Sequence, residues 1–278
     1  MVSNRIFPSL QGWEPTRDTL HWYAQAVGAI PRALADPRPN WWHISLKVHP
    51  DGLATDSMAL PGGGTFYLRM DLLGHQVALV TIQGETRHFS MMEGLSSIEF
   101  GDQLIGAVVG LGLSADYARQ KFENDEPRPY DPEVAEKYFA LLTNVDRIFK
   151  AHRANLGGEK GPVQLWPHGF DLAFEWFGTR RVEYEEHGQT RQLPAQLNLG
   201  FSPGEAGHPQ PYFYSNPWPF EEAPLVGKPL PSGARWFTES WKGSILPYEE
   251  LVDDERAEER LLAYARAVYE ISAPTLQA

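Results

Sequence analysis

Four segments of the chain space their apolar residues three or four positions apart, as amphipathic helices do. The second segment opens with a capping box, Ser96 with Glu99, and the third opens with Asp131-Pro132, a favourable cap and first-turn pair. The spacing predicts helices from about residue 15 to residue 31, from 97 to 110, from 132 to 153 and from 253 to 272.

Strands are predicted between these helices. From Trp42 to Val48 apolar residues alternate with polar ones, as in a half-buried strand. Further strands are predicted at residues 66–72 and 77–82, as a hairpin across Gly74-His75, and at 163–177, 182–186, 196–201, 211–214 and 236–245. Short connections between strands favour antiparallel pairing. The fold class is therefore predicted to be α+β, with mainly antiparallel sheets and about four packing helices.

The order of these elements bears on domain organisation. We expect residues 1–278 to form one full-length module. Helix and meander follow each other twice, which also suggests two similar halves, residues 1–125 and 130–278. Identity between the halves is low, so duplication and a single unrepeated module both stay open.

Composition and charge narrow the class of protein. With 42% hydrophobic and 22% charged residues, the chain has the proportions of a soluble globular protein. No apolar run approaches the roughly 20 residues that span a bilayer, and Met1–Gly12 lacks the features of a secretion signal. There is no cysteine, so we expect a cytoplasmic protein. A net charge of -12 argues against a nucleic-acid partner, and the lack of a long apolar run predicts no membrane partner.

The predicted strand at 163–177 carries ionisable groups among apolar residues, which is rare unless those groups are paired or used. By strand alternation His168 shares the apolar face, which favours a core histidine bonded to a backbone group. A bulge at Gly169, next to Pro167, would instead bring His168 to the face of Asp171. His168 with Asp171 is then the candidate catalytic pair, the carboxylate orienting the imidazole as a general base.

Other residues are weaker candidates. Glu175 lies four residues from Asp171, about 13 Å along a strand, so these two are not a catalytic pair. His43 could join His168 and Asp171 in a metal set only if their strands were neighbours, and no metal or other cofactor is predicted. Neither a phosphate-binding loop nor a Gly-x-Ser-x-Gly motif is present.

A second aromatic run, Tyr212 to Pro219, follows the central strand. Its aromatics are either core residues of a sheet or flat walls for a ligand. Under the second interpretation the ligand-binding residues are His43, Trp166, Glu175, Tyr212, Tyr214 and Trp218.

Several strings resemble a bacterial family of unknown function, DUF5996. They are Trp42-His43-Ile44 with Gly52–Thr55, Gly161–Ala173, Tyr212–Pro219, Leu246–Glu249 and the final helix with Tyr269-Glu270. The resemblance extends over nearly the whole chain. It implies a single module and a bacterial origin, and it carries no activity.

Two functional hypotheses follow. The first is a small-molecule-binding protein, with enzymatic activity left open, whose polar site at His168 and Asp171 is walled by aromatics. The second is a non-catalytic protein that binds a partner through its acidic segment, residues 249–260, or binds a carbohydrate through exposed aromatics such as Trp218. Neither the ligand nor the oligomeric state can be predicted.

Overall fold

The computed structural model describes residues 6–186, 188–205 and 208–278. Residues 1–5, part of the segment that argued against a secretion signal, lie outside the described residues. The chain divides into two compact units. The N-terminal unit comprises Leu10–Thr143 and Gln164–Phe170, and the C-terminal unit comprises the described residues of 6–9, 144–163 and 171–278.

The N-terminal unit contains an antiparallel sheet. Its strands are β1 Lys47–His49, β2 Gly52–Ala54, β3 Met58–Ala59, β4 Thr65–Asp71, β5 Gln76–Thr81 and β6 Thr86–Ser90, in the order β1-β2-β4-β5-β6 with β3 on β4. In β4, buried Phe66, Leu68 and Met70 alternate with partly exposed residues. The predicted hairpin across Gly74-His75 is confirmed as the β4–β5 pair.

The helices begin close to where the sequence predicts. They are α1 Glu14–Leu34, α2 Ser97–Gly110 and α3 Pro132–Ala154. Ser96 and Glu99 form the predicted capping box of α2, with the Ser96 hydroxyl accepting from the Glu99 amide. Helix α3 crosses the division between the units at Asn144.

The predicted strand from Trp42 to Val48 is wrong in its first half. Pro39–Ile44 forms short helical turns that are separated by a kink, at which Asn40 and Trp41 have positive φ. Proline fixes its own φ and lacks an amide hydrogen, so Pro39 begins a helical turn more readily than a strand. The chain extends only after Ile44, where Leu46 pairs with Leu165, and β1 follows.

The predicted central strand is also interrupted. Strand β7, Gln164–Trp166, ends at a turn over residues 167–170, and β8, Asp171–Glu186, begins directly after it. The Phe170 amide donates to the Trp166 carbonyl at 2.8 Å and closes the turn. The alternative of a bulge at Gly169 is therefore wrong, because this turn takes its place.

The C-terminal unit contains the longer strands. They are β8, β9 Gln189–Ser202, β10 Tyr212–Ser215, β11 Pro217–Trp218, β12 Arg235–Phe237 and β13 Gly243–Pro247; within this unit their order is β12-β13-β10-β9-β8, with β11 on β9. Residues 236–245, predicted as one strand, form a hairpin in which Phe237 pairs with Gly243.

Helices cover one face of this sheet. Phe149 of α3 packs against Phe174 of β8 and Phe213 of β10, with ring centroids 6.2 and 6.3 Å apart. Helix α4 is Glu222–Leu225, and α5, Ala257–Ser272, begins four residues later than predicted. The α+β class with antiparallel sheets and four long helices is confirmed. The proposed pseudo-repeat stays a prediction.

Candidate functional site

The turn at residues 167–170 is held by contacts from within the N-terminal unit. Phe170 has φ +54°, a conformation that is rare for a bulky residue. Its ring is fully buried between the rings of His21 and Tyr138, at centroid distances of 5.7 and 5.5 Å. The burial of this ring offsets the backbone strain, so the turn has one well-defined shape.

Helix α1 supports the same turn from its side. His21 Nε2 donates to the His168 carbonyl at 3.0 Å, and burial lowers the pKa of His21, which keeps its imidazole neutral near pH 7. At Gly28 an added Cβ would lie 2.8 Å from Cβ and Cγ of Pro167. Only glycine allows α1 and the turn to approach this closely.

His168 itself is exposed, so its interpretation as a core histidine is wrong. Its side chain borders a cleft of about 310 Å³ that is open to solvent, which we call the His168 cleft. Helix α1 contributes Gln25, Gly28, Ala29 and Arg32 to the lining, and the other walls are Ile44, Lys121, Pro167 and His168. The lining therefore contains an apolar floor together with an arginine, a lysine and a histidine.

Lys121 is positioned by its buried neighbour. Phe122 is fully buried, and its ring occupies the space that a side chain at Gly101 of α2 would need. The Ser97 hydroxyl donates to the Phe122 carbonyl at 2.7 Å. Because the next residue is anchored in this way, Lys121 is held at the edge of the cleft.

Trp41 contacts Arg32, one of the residues that line the His168 cleft. Cζ of Arg32 is 5.2 Å from the centroid of the indole, within cation–π range. Asn40 and Trp41 have φ of +52° and +60°, although 57% of Trp41 is exposed. Such residues cost about 1–3 kcal/mol each and occur most often at functional sites.

His43 packs beneath Trp41 and is itself buried. The two rings are stacked, with centroids 5.5 Å apart. Nδ1 of His43 accepts a hydrogen bond from the Arg38 amide at 3.2 Å, which leaves the ring hydrogen of the neutral form on Nε2. Burial first, and then the charges of Arg32 and Arg38, lower the pKa of His43. The neutral imidazole is thus a fixed support for the indole.

The predicted site residues divide between the two units. His43, Trp166 and His168 belong to the N-terminal unit, where the Trp166 and His168 rings are 6.0 Å apart. Asp171 belongs to the C-terminal unit, so neither unit by itself contains the proposed His168–Asp171 pair. A catalytic role for that pair stays a prediction.

The aromatic candidates of the C-terminal unit are packed. Tyr212 is buried in a cluster with Phe237 and Ile245, against which Tyr214 and Trp241 also pack, as the core interpretation expects; a ligand-binding role for Tyr212 stays a prediction. The hydroxyl of Tyr214 donates to Asp171 Oδ2. Burial, followed by the charge of Asp171, raises the pKa of Tyr214 well above its usual range, so this phenol is a hydrogen-bond donor near pH 7.

The remaining candidates lie elsewhere on the sheet of the C-terminal unit. Half-buried Glu175 of β8 is opposite Asn198 of β9. Trp218 of β11 is partly exposed, and the edge of its ring meets Tyr184, with centroids 6.1 Å apart. Among the described residues, no group of three or more histidine, aspartate or glutamate side chains could hold a metal ion.

Sequence analysis missed three residues around the His168 cleft: Arg32, Lys121 and Trp41. A signal for Arg32 existed, because Gln25, Gly28 and Arg32 are spaced three and four apart on one face of α1. Nothing in the local sequence marked Lys121 or the conformation of Trp41, since both depend on how distant segments pack.

Acidic residues 249–260 are largely engaged in ion pairs. Arg260 pairs with Asp254 at 2.7 Å, Arg256 pairs with Glu259 at 2.7 Å, and Arg147 pairs with Glu258 at 2.7 Å. Charges matched in this way fit the start of a solvated helix.

Comparison with known proteins gives one match. A family described as "Family of unknown function (DUF5996)" matches residues 7–277. No curated protein and no solved structure is similar enough to count as a match. None of the helices in the described ranges is long and apolar enough to cross a membrane. Since the match extends over almost the entire chain, the protein belongs to the DUF5996 family.

Proposed function

We propose that the protein binds a small anionic molecule in the His168 cleft. The observation that carries this proposal is that Arg32 and Lys121 border one cleft although no carboxylate within the described residues pairs with either of them. Other arginines of this acidic chain, such as Arg69 and Arg147, do pair with carboxylates. Cations left available beside an apolar floor are the usual composition of a ligand site.

Each part of the lining has a role in such binding. The planar guanidinium of Arg32 can donate two parallel hydrogen bonds to a carboxylate or phosphate. Lys121 adds a mobile point charge, and the imidazole of His168 adds a third polar group. Gly28, Ala29 and Ile44 offer apolar contact to the rest of the ligand.

Thermal unfolding with increasing inorganic phosphate or acetate tests this proposal. A ligand that binds only the folded protein raises the Tm with its concentration. We expect a rise for the wild-type protein with at least one of the two anions, and a loss of most of that rise in Arg32→Gln and Lys121→Gln. Lys137→Gln removes the same charge from an exposed position of α3 and should keep the full rise.

An equal Tm rise in all four proteins would indicate a general salt effect and would contradict the proposal, as would no rise with either anion. A cytoplasmic location and a bacterial origin remain predictions from the sequence. The observations above favour neither an acidic docking surface nor a carbohydrate site.

A further inference from the structure

We infer that the ligand of the His168 cleft is an aromatic anion whose acidic group meets Arg32 and Lys121 while its ring stacks on Trp41. This inference rests on the proposed function and adds the chemical class of the ligand. It starts from the backbone of Trp41, whose positive φ is not accounted for by burial of its side chain.

At Phe170, burial of the side chain accounts for a positive φ. Its backbone has a similar positive φ, but its ring is fully buried and stacked between two others. The positive φ of Trp41 has a similar conformational cost, although 57% of the residue is exposed to solvent. Folding alone therefore gains little from holding Trp41 in this conformation, whereas a ligand bound to Arg32 would meet a pre-oriented aromatic surface.

The indole and the cleft share Arg32. Its Cζ lies 5.2 Å from the indole centroid, and its side chain also lines the cleft. A guanidinium contacts an aromatic ring through its flat face and donates hydrogen bonds from its edges, so one contact does not exclude the other. No hydrogen bond joins this guanidinium to another described residue. Its N–H groups are accordingly available to an anion beside Trp41.

The support beneath the indole makes it suitable for stacking. His43 stacks on Trp41 at 26° and is fixed by the Arg38 amide. An aromatic side chain that is already ordered loses little conformational entropy when a ligand ring is added. Ile44 follows His43 in the chain and lines the cleft, so the segment that supports the indole is continuous with the wall of the site.

Two pairs of probes isolate the contribution of the ring. Phenyl phosphate is compared with methyl phosphate, and benzoate with acetate, by isothermal titration of the full chain. Within each pair the acidic group is the same, so the ratio of the two Kd values reports the ring. We expect the aromatic member of at least one pair to bind about tenfold more tightly, as for other stacking contacts with aromatic side chains.

Variants then assign that ratio to Trp41. Trp41→Ala should bring the ratio close to one and leave the Kd of the non-aromatic anion within about twofold, whereas Trp41→Phe should keep part of the ratio. Tyr184→Ala removes an exposed aromatic from the C-terminal unit and should leave the ratio unchanged.

The outcomes separate the two proposals. If the non-aromatic anions bind through Arg32 and the aromatic ones bind no tighter, the stacking inference is wrong and the proposed function stands. The inference is also wrong if the ratio survives in Trp41→Ala. If none of the four probes binds, both proposals are wrong.

Discussion

Two aromatic and polar regions of this protein contrast in how their polar groups are used. In the C-terminal unit, Tyr214 donates to Asp171 and lies on a buried aromatic cluster. In the N-terminal unit, Arg32 and Lys121 border an open cleft without a carboxylate partner among the described residues. Both regions contain residues of types used in binding sites. The difference teaches that available donors, and not aromatic content, distinguish the proposed site from the packed cluster.

A similar contrast separates Phe170 from Trp41, both with positive φ. Replacing Phe170 with alanine should lower the free energy of unfolding by about 3–5 kcal/mol, because a fully buried ring is lost. Phe170→Gly should lower it by about 1 kcal/mol less, since glycine relieves the strain. Trp41→Gly should leave it unchanged or raise it by up to about 1 kcal/mol. Urea denaturation of the three variants measures these differences. A large loss of the free energy of unfolding in Trp41→Gly would contradict the contrast between Phe170 and Trp41.

His152 is a buried ionisable group of the C-terminal unit. It is 5% exposed, and burial lowers its pKa to about 4. Between pH 6.5 and about 4 the unfolded chain binds a proton that the folded protein does not. The contribution of His152 to the free energy of unfolding is therefore fully present above pH 6.5. The free energy should fall by about 3 kcal/mol as the pH decreases from 6.5 to about 4.

Denaturation at several pH values, compared between wild type and His152→Gln, isolates this contribution from that of the carboxyl groups. His21 and His43, whose pKa values are also lowered by burial, contribute slopes of the same sign in both proteins. Parallel curves for the two proteins would show that His152 does not cause the slope.

A smaller loss of stability than at Phe170 or His152 is expected at Tyr214. Tyr214→Phe removes the hydroxyl that donates to Asp171 and should cost about 2 kcal/mol of the free energy of unfolding. Anion binding by the His168 cleft should be unchanged, since Tyr214 belongs to the other unit. A loss of anion binding in this variant, at unchanged stability, would overturn the division into a packed region and an open site.

Prediction from sequence succeeded where structure depends on local patterns. The four long helices, the capping box at Ser96 and the β4–β5 hairpin follow from apolar spacing and from side chains that bond their own backbone neighbours. The prediction failed at residues 39–44 and 167–170. Each of these segments contains a proline and at least one residue with positive φ. There the chain turns, and the strand that the apolar pattern predicted does not form.

The candidate site shows the same division. His168 was selected because an ionisable residue among apolar ones is unusual, and it does border the cleft. Its expected partner Asp171 follows only three residues later but belongs to the other unit, because the turn at 167–170 ends one unit and begins the next. Proximity in sequence did not predict membership of one site.

The sequence by itself determined the α+β class, the positions of the helices and the family. The class and the helices depend on short-range periodicity, and the family depends on short strings of residues that resemble it. Only the tertiary structure decided which polar groups stay available. Whether Arg32 has a carboxylate partner, or Trp41 a buried ring, depends on segments that are distant in the chain and meet only after folding. Availability of this kind is a property of packing, which no local pattern contains.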